Sequence, residues 1–195
     1  MEEIKNIDGH DVVFNRAPVV WYDEHENIVG EGTLDDAVSG GWFVRSAHVW
    51  IINHAGLLYL QKRSMHVLNN PGKWAESSGG YVDKGMTTLQ TAVTETQEEL
   101  GLDIPETQFK KIAMIRQFEK RYDGSTSKQF VDVYLTVYDF AESDIRLYKR
   151  DVAGGMCIDW REFEKKYQNK EIDFVEHPEE IAIALKSLHD YFDGK

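Results

Sequence analysis

The densest apolar stretch of the chain lies between residues 42 and 63, where WFVRSAHVWIIN and LLYLQKR flank His54, Ala55 and Gly56. β-Branched and aromatic side chains suit a pleated, buried surface, and a glycine-containing turn between two such runs predicts a β-hairpin. Upstream, residues 11–22 (DVVFNRAPVVWY) hold two short apolar runs broken by Asn15 to Pro18. DEHENIVGEG follows with turn-forming residues, so this region also predicts hairpins. Residues 64–79 (SMHVLNNPGKWAESSG) carry Asn, Pro, Gly and Ser in the density of an irregular loop.

The period then changes from two to between three and four. Leu89, Ala92, Val93, Thr96 and Leu100 form one mostly apolar stripe of a helix. Thr87 and Gln90 have capping-box spacing at its start, and Gly101 is placed to end it in a left-handed conformation. FKKIAMIRQF and FVDVYLTVY predict two strands around the polar turn KRYDGSTSK, and MCIDW predicts a shorter third. Residues 160–169 predict a short helix. Behind Pro178, Ile181, Ile183, Leu185, Leu188 and Phe192 fall near helical spacing, giving a last helix that covers one face of the sheet. The succession reads as an α/β domain of the α+β type with a mixed sheet.

Length and charge narrow the function classes. With 195 residues and 42% hydrophobic content, the chain suits one domain with its own core. No repeat, low-complexity tract or linker divides it. The 22 basic and 34 acidic side chains leave a formal charge of -12, which opposes non-specific attraction to a nucleic-acid polymer. A small anionic substrate stays open, because a site built on divalent cations carries its own positive charge. MEEIKNIDGH has no basic patch followed by an apolar run, and no stretch has the length to span a bilayer. A single cysteine, Cys157, excludes an internal disulfide framework and suits a cytoplasmic protein; its short apolar surroundings suggest packing rather than catalysis.

Glu95, Glu98 and Glu99 stand off the apolar stripe at i, i+3 and i+4, which places them on one helical face. Three anions so close repel one another unless a cation is bound. A set of hard oxygen ligands with room for water selects Mg²⁺, with Mn²⁺ as substitute, and disfavours zinc. On the glutamates alone, a solvated acidic face is the plainer alternative. The loop SSGGYVDKG in front of the helix changes that balance, since its glycines let backbone approach the helix closely and offer a carbonyl as a ligand.

From Gly80 to Leu102, GYVDKGMTTLQTAVTETQEELGL resembles the Nudix box: Gly, five residues, Glu, seven residues, then Arg-Glu-apolar-x-Glu-Glu-x-Gly-apolar. Gly80, Glu95, Glu98, Glu99, Gly101 and Leu102 match; Met86 replaces the first Glu, Thr94 the Arg, and Thr96 an apolar position. HVWIINHAGLLYLQKRS and PGKWAESSGGYV look like the strand pair and loop before the box, closest to the branch that includes isopentenyl-diphosphate isomerase. The resemblance covers roughly residues 42–160.

The resemblance implies an α/β/α sandwich with a mixed sheet. Residues 1–40 would be an N-terminal β-hairpin extension packed on the domain, and residues 41–195 the Nudix domain with its C-terminal helix. It implies Glu98 and Glu99 as metal ligands, Gly79 as a backbone-carbonyl ligand, and Glu95 as ligand or as the base that activates water. The implied reaction is Mg²⁺-dependent hydrolysis of a nucleoside diphosphate linked to another moiety, or of a related diphosphate, by water attack at phosphorus. The partner would be a small-molecule diphosphate, with no nucleic-acid polymer and no membrane, and a homodimer is an allowed assembly.

Arg45, Lys62 and Arg63 are candidates to meet substrate phosphates and Trp74 to stack on a base, each with an ordinary surface or loop-anchoring role as its alternative. Asp132, Asp139 and Glu142 are acidic candidates for a ligand outside the box, none favoured. His48, His54 and His66 show no convincing metal spacing and stay outside the expected site.

Two rivals remain. The departures at Met86 and Thr94 fit a catalytically weakened module that binds a nucleotide or metabolite in a regulatory role. The isomerase needs a catalytic cysteine in the early strand region and a glutamate on a later strand; the lone cysteine is Cys157, and the strand near 129–135 carries Gln129 and Phe130 instead.

Overall fold

The computed structural model describes residues 2–7, 10–15, 17–67, 69–121, 123–147 and 152–194, with the backbone alone for 2–15. In chain order the elements are β1 (Glu2–Ile7), β2 (His10–Asn15), β3 (Val19–Tyr22), β4 (Ile28–Gly32), α1 (Leu34–Gly40), β5 (Phe43–Ile52), β6 (Leu57–Arg63), β7 (Trp74–Ala75) and β8 (Ser78–Tyr81). They continue with α2 (Thr88–Leu100), β9 (Phe109–Lys120), β10 (Thr126–Val137), β11 (Val152–Asp159), α3 (Trp160–Gln168) and α4 (Pro178–Phe192). β1 and β2 pair as an antiparallel hairpin; the main sheet runs β11-β6-β5-β10-β9, with β3, β7 and β8 attached along it and β4 paired to β3.

β5 is the spine. It is buried on both faces, which is why its sequence reads as a nearly continuous apolar run. Alternation sends Ala47, Val49 and Ile51 into a core shared with Ala92 and Leu100 of α2. Trp50 and Ile52 point the other way, into a core with Phe163 of α3 and Ile181, Leu185 and Leu188 of α4. The sheet is therefore sandwiched between α2 on one face and α3 and α4 on the other, an α/β/α arrangement. Each fully buried Val, Ile, Leu or Phe side chain among them contributes about 1.5–3 kcal/mol.

The sheet is mixed because β5 runs parallel to β10, from Phe43↔Lys128 to Ile52↔Val137, while β10 pairs antiparallel with β9 and β11 with β6. The β5–β6 hairpin exists, but its ladder is confined to Ile51↔Tyr59 and Ile52↔Leu58. Beyond those pairs the strands part, and β8 takes the place beside residues 46–49 of β5. β7 pairs with Gln61 and Lys62 of β6, so part of the expected loop over residues 64–79 is strand. Its glycines and serines have little strand propensity; pairing satisfies backbone groups that would otherwise be buried without partners.

Both ends of α2 are as the spacing predicts. Thr87 and Gln90 form a reciprocal capping box, and Gly101 closes the helix at φ 69. Residues 19–40 add β3, β4 and α1 at the N-terminal end of β5, where Tyr22 pairs with Phe43 and Val19, Ala37 and Val44 form a small core. Among the described residues, no helix is long and apolar enough to cross a membrane.

Candidate functional site

α2 docks on β8 through its polar face as well as its apolar one. The Ser78 hydroxyl lies 2.9 Å from Thr96 Oγ1, which itself donates to the Ala92 carbonyl at 2.8 Å. This docking sets the rotation of the helix. Glu99 is buried, Glu95 half-buried and Glu98 exposed, all on one side.

Two glycines make the approach. A Cβ on Gly80 would collide with the Glu95 carboxylate, and one on Gly79 would lie 2.9 Å from the Ala47 carbonyl oxygen and 3.1 Å from His48 Cδ2. The Gly79 N–H donates to Glu99 Oε2 at 3.1 Å, and Gln61 Nε2 donates to the same oxygen at 3.3 Å. Gly79, expected as a carbonyl donor, thus touches the glutamates through its amide.

These groups line a cleft of about 340 Å³ between α2, β8 and the end of β9. Glu95, Glu98 and Glu99 share its wall with Glu76 and Glu119. The Glu119 carboxylate is fixed by amides, accepting from Asn69 Nδ2 at 2.5 Å, Asn70 Nδ2 at 2.6 Å and Gln129 Nε2 at 3.2 Å. Arg63 and Arg121 bring positive charge to the same cleft; Arg121 donates to Asp35 at 2.6 Å, and Arg63 Nε donates to the Asn69 carbonyl at 2.8 Å. Glu95, Glu98 and Glu99 put carboxylate oxygens on one cleft wall, the hard donors that a cation such as Mg²⁺ or Mn²⁺ takes, although among the described residues these oxygens are not gathered within 4.8 Å of one another.

Of the other sequence candidates, Arg63 lines this cleft, whereas Arg45 and Trp74 lie outside it. Arg45 is paired with Glu26 at 2.6 Å and lines a neighbouring cavity of about 230 Å³ with Met86, Thr87 and Thr88. Trp74 is partly buried against the α3–α4 core, with Lys62 Nζ 5.5 Å from its ring centroid. Asp132 is paired with Lys111 at 2.7 Å and Asp139 with His54 at 2.9 Å; these two and Glu142 are absent from the cleft walls. Cys157 on β11 is also remote from the cleft, and burial followed by the Glu142 charge raises its thiol pKa.

Sequence reasoning missed Glu76 and Glu119, and with them a buried histidine–carboxylate group. His48 of β5 stands 2.8 Å by Nδ1 from Glu180 Oε2 and 3.4 Å from Glu76 Oε1. His177, which caps α4, brings Nδ1 within 3.8 Å of Glu180 Oε2. Burial opposes charge on His48, but the Glu180 and Glu76 carboxylates outweigh it and push its pKa up to about 10. Burial holds His177 below the usual histidine value. The only signal for this group in the sequence was HPEE at the head of the last helix, separated from His48 by most of the domain.

The NUDIX domain family model matches residues 42–175. Nudix hydrolase 3 of Arabidopsis thaliana is 33% identical over 135 residues, covering 67% of this chain but only 17% of the plant protein. Isopentenyl-diphosphate Delta-isomerase 1 of Photorhabdus laumondii is 25% identical over 154 residues, covering 78% of this chain and 85% of that relative. Among solved structures, the DR0079 protein of Deinococcus radiodurans superposes with a TM-score of 0.66 at 20% identity, covering 85% of this chain and 97% of the other, a likeness of fold. With the family model matching most of the chain, and with the glycine turn, capped acidic helix and mixed sheet in place, this chain belongs to the Nudix family.

Proposed function

We propose that this protein is a Mg²⁺-dependent hydrolase of a nucleoside diphosphate linked to another moiety, or of a related diphosphate, acting by water attack at phosphorus. The observation that carries the reading is the close fit of the Glu95 carboxylate against Gly80, with Glu98 and Glu99 on the same cleft wall. Glu95, Glu98 and Glu99 would hold Mg²⁺, or Mn²⁺ in its place. Such an ion polarises phosphate oxygens and makes bound water a better nucleophile.

Glu95, half-buried and packed on backbone, has little freedom to rotate, as a group that removes a proton from water requires. Glu99 is oriented by the Gly79 amide and Gln61, and Glu98 faces the open cleft. Arg63 is the basic side chain from the sequence candidates best placed to meet a substrate phosphate. The diphosphate class also agrees with the isomerase relative, whose named substrate is a diphosphate. Residues 41–195 would form the catalytic domain with residues 1–40 as its β extension, and a cytoplasmic setting goes with the lone Cys157.

Met86 and Thr94 favour one second reading. Both line the cleft where the family pattern has a charged pair, so Glu95 is steadied by Gly80 without that pair. A weakened module would bind a nucleotide without turning it over. Isomerase chemistry has no cysteine in the cleft to support it.

A panel of nucleotide sugars, dinucleotide polyphosphates and oxidised nucleotides with Mg²⁺ separates the three. Turnover lowered at least on the order of 100-fold by Glu98→Gln supports the hydrolase. Saturable binding without product supports the module, and allylic product from isopentenyl diphosphate without phosphate release would establish the isomerase.

A further inference from the structure

We propose that His48, His177 and Glu180 form a buried site for a divalent transition-metal ion such as Zn²⁺, separate from the acidic cradle on α2. Ligand atoms of the three lie within 4.8 Å of one another, and all three residues are buried. His48 Nδ1 is 2.8 Å from Glu180 Oε2 and 3.4 Å from Glu76 Oε1, and His177 Nδ1 is 3.8 Å from Glu180 Oε2. Ligands about 2.0–2.1 Å from a tetrahedral ion stand roughly 3.4 Å apart, and the two separations to Glu180 Oε2 fall on either side of that spacing.

A second feature points to a missing ligand. His177 Nδ1, 3.8 Å from Glu180 Oε2, is buried without a hydrogen-bond partner on a residue only 9% exposed. An unpaired polar atom in such a place is costly, and a cation would satisfy it. The charge pattern agrees. His48 and Glu180 form a buried pair at 2.8 Å, and a divalent ion would take the place of the His48 proton beside that carboxylate.

Mixed imidazole and carboxylate donors distinguish this site from the all-oxygen cradle and select Zn²⁺ or a neighbouring first-row ion over Mg²⁺. Glu180 is already oriented by its surroundings, accepting from Trp50 Nε1 at 3.0 Å and from Gln117 Nε2 at 3.5 Å, as ligating carboxylates are in metal sites. The ion would tie the head of α4 to β5. Because a Cβ on Gly79 would meet both His48 and Glu76, the site backs directly onto the turn that carries the cradle.

The test uses the full chain stripped with chelator and held in excess Mg²⁺. Cobalt(II) titration should give one equivalent of uptake with the absorption bands of a nitrogen-containing, low-symmetry site. Those bands should vanish in His177→Gln and persist in Glu98→Gln. Zn²⁺ at about a hundredfold over its Kd should raise the unfolding temperature of the wild type by roughly 5–10 °C. Absent bands and an unmoved unfolding temperature in the wild type overturn the proposal, as does Co²⁺ binding that survives His177→Gln or is lost in Glu98→Gln. The wild-type measurements need no variant, so they decide the matter even where a variant fails to fold.

Discussion

Gly80 of β8 and Glu95 of α2 occupy a single space: the carboxylate of one lies where a side chain on the other would have to go. The contact packs the acidic helix closely against the glycine turn. Gly80→Ala should therefore displace Glu95 while leaving the core untouched. Turnover is expected to fall on the order of 100-fold, with a circular dichroism spectrum like that of the wild type. Unchanged kcat/KM in this variant would show that the position of Glu95 does not matter for the reaction.

The capping box at Thr87 fixes where α2 begins, and hence which face its glutamates occupy. Thr87→Ala removes the side-chain acceptor for the Gln90 amide and should cost about 1 kcal/mol. In a chain of this size that is a drop of about 2–4 °C in the unfolding temperature, measurable by scanning calorimetry.

Much of this architecture was legible in the sequence, and the reasons are local. α2 declares itself by a 3.6-residue stripe with Thr87 and Gly101 at its ends, and β5 by an apolar run that only burial on both faces allows. The glutamates that match the Nudix box lie on the first of these, α2. What was hidden depends on distant partners. Ser78–Tyr81 is a strand only because β6 leaves β5 and opens an edge there. Glu119 becomes part of the cleft through Asn69 and Asn70, from a segment whose composition announced only a loop. The pairing of His48 with Glu180 crosses 132 residues, and no spacing rule connects them.

His189, in the last turn of α4, lies 2.8 Å from Asp193 and 3.2 Å from Glu164. The hydrogen bond to Asp193, followed by that to Glu164, raises its pKa above the usual histidine value even though burial opposes this. A raised histidine stabilises the fold fully below its unfolded pKa of about 6.5, and the contribution is lost as pH rises through the folded value. The unfolding-temperature difference between the wild type and His189→Gln should thus be larger at pH 6 than at pH 9. A gap that does not change with pH would rule out the protonated pair.

Cys157 packs beside the α2 core and away from the cleft. Cys157→Ala should leave diphosphate turnover unchanged, as measured by steady-state kinetics on the best substrate of the panel. Loss of turnover without loss of folding would demand a role for the thiol that its position does not provide.

The central claim, that the acids of α2 form a seat for a hard divalent ion, is tested most directly by Mn²⁺ binding. The full chain is titrated in the presence of methylene diphosphonate, and free Mn²⁺ is followed by electron paramagnetic resonance. Saturable uptake that Glu98→Gln weakens by about tenfold or more is the predicted result. No uptake by the wild type, or uptake that the variant matches, would contradict it.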